Sequence, residues 1–424
     1  MRGKFAAAAL GSAMLVALTG CAGAAPGTDD SADGELSGEL TYAIWDERQQ
    51  PAMEAMAAAF TEQHPDVSIS VEVTPFSQYW TKLQTQGSAK ELPDVFWMNG
   101  PNAKVYAPSG LLEPIDALVE SGEVDPSNYP EALNELYTLD GTQWGVPKDF
   151  DTIGVWYNTA LLAKAGVAEP TADWTWDDFA VAAQTVSDTL AAEGTYGVVA
   201  ELTGQQSYYD TIFQAGGYVI SDDMKKSGYD DPKTIAGLQY WTDLIASGAS
   251  PSVQQLSDTL PNQWFTSGKA AFYWAGSWLA SEIAASPVAA DVKTAPMPVE
   301  EKAATVIHGV ANVIAADGKN KAAAAAFQAY LGSEDAALIS ADMRAAIPAF
   351  NGTQQAWVDS EPTFGLQMFL DATEYAVPDP ESYNTTAWRE LEYELLPQAF
   401  SGERPTEEVA KELAERMNEL LAEE

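Results

Sequence analysis

Residues 40–98 carry the pattern that decides the fold: LTYAIW (40–45), PAMEAMAAAFTEQ (51–63), VSISVEV (67–73), YWTKLQTQGSA (79–89) and DVFWM (94–98). The first, third and fifth stretches are short and rich in aliphatic, β-branched and aromatic residues, as strands are. The second and fourth are longer and rich in Ala, Met, Gln and Leu, as helices are. Strand, helix, strand, helix, strand is the alternation of a parallel sheet covered by helices, so the chain reads as α/β. The polar continuation of the last strand, residues 99–102, marks a strand end that meets solvent. Ligands of open α/β sheets sit beyond such ends, and Trp45, Asp46 and Asn99 occupy positions of that kind.

Toward the N-terminus, Arg2 and Lys4 precede an uncharged apolar run at 6–18 and the sequence Leu18-Thr19-Gly20-Cys21. The run is too short to span a bilayer and reads as an export signal over 1–20. Its ending resembles the lipobox of bacterial lipoproteins, in which the cysteine becomes the acylated first residue. Cys21 is the only cysteine, so no internal disulfide is available. One acyl chain anchors only marginally, so stable attachment implies the multi-chain modification of that class. Residues 22–38, rich in Gly, Ala, Ser and Asp, read as a tether, giving a segment 21–38 between anchor and ordered protein. Residues 39–424 exceed what one core usually serves, which implies two lobes.

Farther along, Trp174-Thr175-Trp176-Asp177-Asp178 opens a helix with Thr175 or Asp173 as cap, and Asp231-Pro232 opens another. An apolar strand is expected at 270–274 and a further one at 306–315, followed by an alanine-rich helix at 319–331. The chain ends in an amphipathic helix, 406–421, with Val409, Leu413, Met417, Leu420 and Leu421 near helical spacing. No internal repeat is evident.

The 62 acidic against 21 basic residues give a formal net charge of −41. Such a field repels nucleic acid and disfavours anionic solutes. Two histidines, His64 and His308, with no HExxH and no CxxC, leave a zinc site or a histidine-based triad unsupported. Gly268-Lys269 lacks the spacing of a phosphate-binding loop, and the glycine frame around Ser277 is incomplete for a nucleophile elbow. No cofactor and no metal is expected. Carboxylate pairs at glycosidase-like separation arise by chance in so acidic a chain and identify no hydrolase.

The positive signal is the repeated pairing of aromatic with polar residues at expected loops and strand ends: Trp45-Asp46, 76–80, Phe150-Asp151, Tyr208-Tyr209-Asp210, 274–278 and 386–389. A pyranose has an apolar C–H face and a rim of hydroxyls, and needs a flat ring plus carboxylates or amides.

In order along the chain, Ala58-Ala59-Phe60 with His64-Pro65, Leu92-Pro93-Asp94-Val95-Phe96, Gly110-Leu111-Leu112-Glu113-Pro114 and Trp144-Gly145-Val146-Pro147 resemble the family 1 extracellular solute-binding proteins. Trp156-Tyr157-Asn158, Thr175-Trp176-Asp177-Asp178-Phe179, Ala215-Gly216-Gly217, 265–269 and Gly276-Ser277-Trp278 continue the series. These are the sugar-capturing subunits of bacterial ABC importers, and the lobes follow the maltodextrin-binding pattern.

The resemblance implies a type II two-lobe fold, each lobe a mainly parallel sheet flanked by helices. Lobe 1 would take 39–150 and 305–348, lobe 2 would take 151–304 and 349–424, and crossovers near 148–151, 301–308 and 346–352 would form the hinge. It implies a ligand site containing Asp151, Trp278 and Trp388, with Gln206 where maltodextrin binders have a tyrosine. First-lobe loops would supply Trp45, Asp46 and Asn99; Tyr79, Asp149, His308 and Arg344 complete the candidates. It further implies a monomeric binder without catalysis that closes on a neutral di- or oligosaccharide and passes it to membrane permease subunits. A lipid-anchored glycoside hydrolase, or a binder of a polyol, glycerophosphodiester or peptide, are the competing functions.

Overall fold

The computed structural model describes residues 36–424; the signal, Cys21 and most of the tether lie outside the described residues. The opening alternation is present: β1 (Gly38–Ile44), α1 (Gln50–Gln63), β2 (Val67–Val73), α2 (Phe76–Ala89), β3 (Val95–Asn99) and α3 (Gly100–Tyr106). β1 pairs in parallel with β2 from Gly38 opposite Val67 to Ile44 opposite Val73, and with β3 at Tyr42 and Ala43. β3 is buried along its whole length, as a strand covered on both faces must be. Its Trp97 donates to the Tyr42 hydroxyl at 2.8 Å, and Tyr42 donates to Asn312 at 2.7 Å, which satisfies polar atoms that burial would otherwise penalise.

The chain then runs through β4 (Gly145–Asn158), α4 (Trp176–Leu190), β5 (Tyr196–Ala200), α5 (Pro232–Ala246) and β6 (Ala270–Gly276). It returns through β7 (Thr305–Ala315), α6 (Lys321–Leu331) and β8 (Ile347–Pro348), and closes with α7 (Thr385–Phe400) and α8 (Thr406–Leu421). The strand order is β2-β1-β3-β7-β4-β6-β5. β5 and β6 run parallel, like β1, β2 and β3, whereas β7 and β4 are antiparallel to their neighbours.

β4 is the pivot of this arrangement. Its first half pairs with β7 from Gly145 opposite Val313 to Thr152 opposite Ile307, and its second half pairs with β6 from Ile153 opposite Gly276. One continuous strand therefore belongs to two sheets. The pairing skips a residue at Lys148, between Val310 opposite Asp149 and Ala311 opposite Pro147. Pro147 has no N–H to give a ladder, so a bulge is where it can be tolerated. β8 lies along the same stretch, with Ile347 opposite Phe150 and Pro348 opposite Asp149. Three separate passes of the chain thus run side by side where the sheets meet.

The first sheet packs Tyr42, Phe96 and Trp97 against Phe60 and Phe327. The second sheet buries Ile153, Val155, Phe272 and Trp274 on one face, with Trp241 and Leu413, and Trp156 and Tyr273 on the other. Each such side chain contributes about 1.5–3 kcal/mol by burial. Thr175 caps α4 through a reciprocal pair with Asp178, and Asp231 caps α5 by accepting from the Lys233 N–H at 2.8 Å. α2 begins at Phe76 rather than Tyr79, directly after Pro75. α7, which contains Pro397, has no counterpart among the expected elements.

Candidate functional site

A cleft of about 1610 Å³ opens where the two sheets meet. From the first sheet it takes Trp45, Asp46, Phe76, Trp80 and Asn99; from the second, Glu201, Gln205, Gln206, Trp278 and Glu282. Between them, on the strands shared by both sheets, stand Asp149, Asp151 and His308.

The first wall is aromatic. Trp45 follows β1 and meets Trp97 edge-on at 4.9 Å, Tyr79 at 5.2 Å and Phe76 at 5.7 Å. Tyr79 itself is buried in the core, its hydroxyl donating to the carbonyls of Ala43 and Trp97 at 3.2 and 3.0 Å. The phase of α2 explains this: Tyr79, Leu83 and Gly87 form its buried face. Phe76, Trp80 and Gln84 reach the cleft instead, and Phe76 is 49% exposed.

Asp46 is engaged by its own loop, accepting from the Arg48 N–H at 3.0 Å and Nε at 2.7 Å. Arg48 continues across to Glu282 at 2.9 Å, on the helix Ala280–Ala284 of the second sheet. Asn99 caps α3 by accepting from the Asn102 N–H at 3.1 Å, so its carbonyl oxygen has a structural task while the residue lines the cleft.

The floor is made by residues facing each other on β4 and β7. Asp151 stands opposite His308, with 3.7 Å between Oδ2 and Nδ1. Burial works against the imidazolium, but the adjacent Asp151 outweighs it and raises the His308 pKa. Burial raises both aspartates; Lys148 opposes the shift of Asp149, and His308 opposes that of Asp151. Lys148, bulged out of the ladder, pairs with Asp149, donates to Gln49 at 3.1 Å and lies 4.1 Å from the Trp97 ring centroid.

The second wall is polar. A π-helical turn, Gly204–Tyr208, places Gln205 on Asp151 and Gln206 on Glu201, each amide donating at 2.8 Å. Gly204 is required because a Cβ there would collide with the Tyr209 ring, and Gly276 because a Cβ there would collide with the indole of Trp278. Trp278 thus lies over the end of β6, half-buried at the cleft. On α7, Trp388 is fully buried and donates to Ser382 at 3.0 Å, whereas Arg389, one residue on, lines the cleft and pairs with Asp379 at 2.7 Å. Behind them Glu392 accepts from the hydroxyls of Tyr208 at 3.1 Å, Tyr209 at 2.8 Å and Tyr229. Burial pushes its carboxyl up to about 7.

Of the candidates named from sequence, the cleft brings together Trp45, Asp46, Asn99, Asp149, Asp151, Gln206, Trp278 and His308. Tyr79, Trp388 and Arg344 lie outside it. Arg344 adopts φ 58 and donates to the Ser360 carbonyl at 2.9 Å, and Ala346 takes the cleft position. Arg48, Glu201, Gln205 and Glu282 are new to the site, and Trp80 and Arg389, which belong to the aromatic-polar runs 76–80 and 386–389, replace Tyr79 and Trp388 because helical phase is offset by one. Among the described residues, no three His, Cys, Asp or Glu side chains are grouped to hold a metal ion.

Residues 45–338 match the family model of the bacterial extracellular solute-binding proteins. The chain belongs to this family. It is 27% identical over 331 residues to the diacetylchitobiose binding protein DasA of Streptomyces coelicolor, covering 76% of each chain. It is 23% identical to the galactooligosaccharide-binding protein of Bacillus subtilis, over 62% of each. Among solved structures, an ABC substrate-binding protein of Listeria monocytogenes in complex with cycloalternan is similar with a TM-score of 0.86 and 26% identity, covering 91% of this chain and 99% of that one. The GacH receptor of Streptomyces glaucescens, solved with acarbose, is similar in fold with a TM-score of 0.82 at 23% identity, over 92% and 99%. The fold is accordingly the two-lobe type II periplasmic-binding-protein fold, and the family places the protein outside the cytoplasm.

Proposed function

We propose that this protein is the capture subunit of an ABC importer for a di- or oligosaccharide. The observation that carries the reading is the cleft itself: an aromatic wall around Trp45 and Trp80 faces a wall of amides, carboxylates and Trp278. A sugar needs both surfaces, one for its C–H face and one for its hydroxyls. The sugars named for its relatives, diacetylchitobiose, galactooligosaccharide and cycloalternan, support the same class. Lobe 1 is assigned to 39–150 and 305–348 and lobe 2 to 151–304 and 349–424, so that β4, β7 and β8 form the hinge. Closure about these strands expels water and adds the contacts of the second wall to those of the first. Arg48 with Glu282, and Lys104 with Glu381 at 2.8 Å, are ion pairs between the lobes that oppose their separation. Acylation of Cys21 tethers the protein to the outer face of the cell membrane, where permease subunits read the closed form. The ligand leaves chemically intact.

The test is a thermal-shift screen against mono-, di- and oligosaccharides, followed by calorimetry and product analysis. A binder gains melting temperature in proportion to RT ln(1 + [L]/Kd) and releases no reducing sugar. Steady release of reducing sugar would instead make the protein a hydrolase, and a flat panel would remove sugars as the ligand class.

A further inference from the structure

The cationic side chains at the cleft are already committed. Arg48 holds Asp46 and Glu282, Arg389 holds Asp379, and Lys148, just behind the wall, holds Asp149. Apart from exposed Glu47 and Glu390 and the tyrosine-bound Glu392, two cleft carboxylates, Asp151 and Glu201, have no Lys or Arg partner. Glu201 accepts from Gln206 through Oε2, and no described residue donates to its Oε1. Asp151, 8% exposed, accepts from Gln205 through Oδ1; its Oδ2 faces His308 Nδ1 at 3.7 Å, an ion-pair distance longer than a hydrogen bond, which leaves the oxygen open to a further donor. Adjacent glutamines on one π-helical turn therefore hold the two carboxylates, each with one oxygen fixed and one left over. Such turns recur at functional sites.

Glu392 offers a contrast inside the same lobe, since three tyrosine hydroxyls satisfy it completely. Asp151 and Glu201 have fewer partners, Gln205 and the more distant His308 for one and Gln206 for the other, and burial raises the pKa of both. A sugar hydroxyl would occupy the spare oxygens but add no countercharge, and Glu201 has no ion-pair partner of its own. An ammonium group supplies a donor and a countercharge together, and charge-assisted hydrogen bonds are roughly twice as strong as neutral ones. The net charge of −41 also draws cations toward the protein and repels anions.

Building on the sugar-capture reading, we infer that the ligand is an amino sugar, a carbohydrate carrying one or more protonated amines that are received by the free oxygens of Asp151 and Glu201. Neutral saccharides fit the aromatic wall but use the second wall incompletely.

The test compares matched ligands by calorimetry on the wild-type protein, below the amine pKa, at low and at high salt. Glucosamine and its β-1,4 di- and trisaccharides are set against their N-acetylated forms, against glucose, cellobiose and cellotriose, and against maltose and maltotriose. The expected result is about tenfold or more tighter binding of the amine members, an advantage that shrinks with salt. Asp151→Asn and Glu201→Gln should lower the affinity for the amine members several-fold more than the affinity for the neutral members, so that the amine advantage shrinks, with melting temperatures of the ligand-free variants checked alongside. Neutral or N-acetylated members binding as tightly as the amines would overturn the amine assignment and leave sugar capture standing. Absence of binding by every sugar, charged or neutral, would overturn sugar capture itself. The wild-type comparison decides even if a variant fails to fold.

Discussion

The two walls of the cleft are built from different chemistry on similar scaffolds. The first wall joins Trp45 edge to face with Phe76 and Trp97 and at a tilt with Trp80, and its polar groups are mostly used internally: Asp46 by Arg48, Asn99 by the α3 cap. The second wall has Trp278 as its cleft indole and otherwise presents Glu201, Gln205, Gln206 and Arg389. An edge-to-face cluster is rigid and reads shape, whereas amides and carboxylates read hydrogen-bond donors. Under the proposed function, ring stacking falls mainly to the first wall and recognition of polar substituents mainly to the second.

The largest expected effect concerns the polar lobe's own support. Glu392 has a folded pKa of about 7 against an unbonded Glu near 4.5. Its native carboxyl therefore holds a proton that the unfolded one has released, so stability falls as pH rises from the unfolded to the folded value. The span corresponds to roughly 3 kcal/mol. Denaturant titrations of Glu392→Gln should show a flatter pH dependence of stability between these values; an unchanged slope would show that the tyrosine cluster already accepts the charged carboxylate without penalty.

Trp278→Ala comes next. Removing the second wall's cleft indole should weaken sugar binding by about 2 kcal/mol with little change in melting temperature, because the ring is half-buried and leans on a glycine. The matching change on the first wall, Trp45→Ala, should lose affinity and stability together, since Trp45 is packed against four other rings. Equal stability losses in the two variants would erase the distinction between a free plate and a built-in one.

Arg48→Ala should have the smallest effect, about 1 kcal/mol in affinity, because its pair with Glu282 is partly exposed and screened. Its signature is salt: calorimetry at rising ionic strength should bring wild type and variant together. A gap that persists at high salt would mean that Arg48 contacts the ligand rather than the opposite lobe.

Much of this was legible in the chain. The alternation from β1 to β3 follows from segment length and residue type, and the capping signals at Thr175 and Asp231 mark the starts of α4 and α5. Residues adjoining strand ends, Trp45 and Asn99, could be placed at a cleft because a strand end fixes where the next residue must emerge. Within helices that reasoning fails: Tyr79 and Trp388 point to the core because helical phase, set by Leu83 on α2 and by Leu395 and Leu396 on α7, turns their neighbours outward. Arg48, Glu201 and Glu282 were illegible for another reason. Their roles depend on pairings between segments more than 150 residues apart in sequence or on a non-standard turn, neither of which leaves a local pattern. Arg344 is a turn residue whose guanidinium serves the Ser360 carbonyl.

The most direct test of the central claim is a crystal structure with the tightest oligosaccharide from the screen. The account predicts an intact sugar between the Trp45–Trp80 wall and Trp278, with polar groups against Asp151, Glu201 and Gln206. A sugar bound elsewhere, or one found cleaved in the cleft, would contradict it.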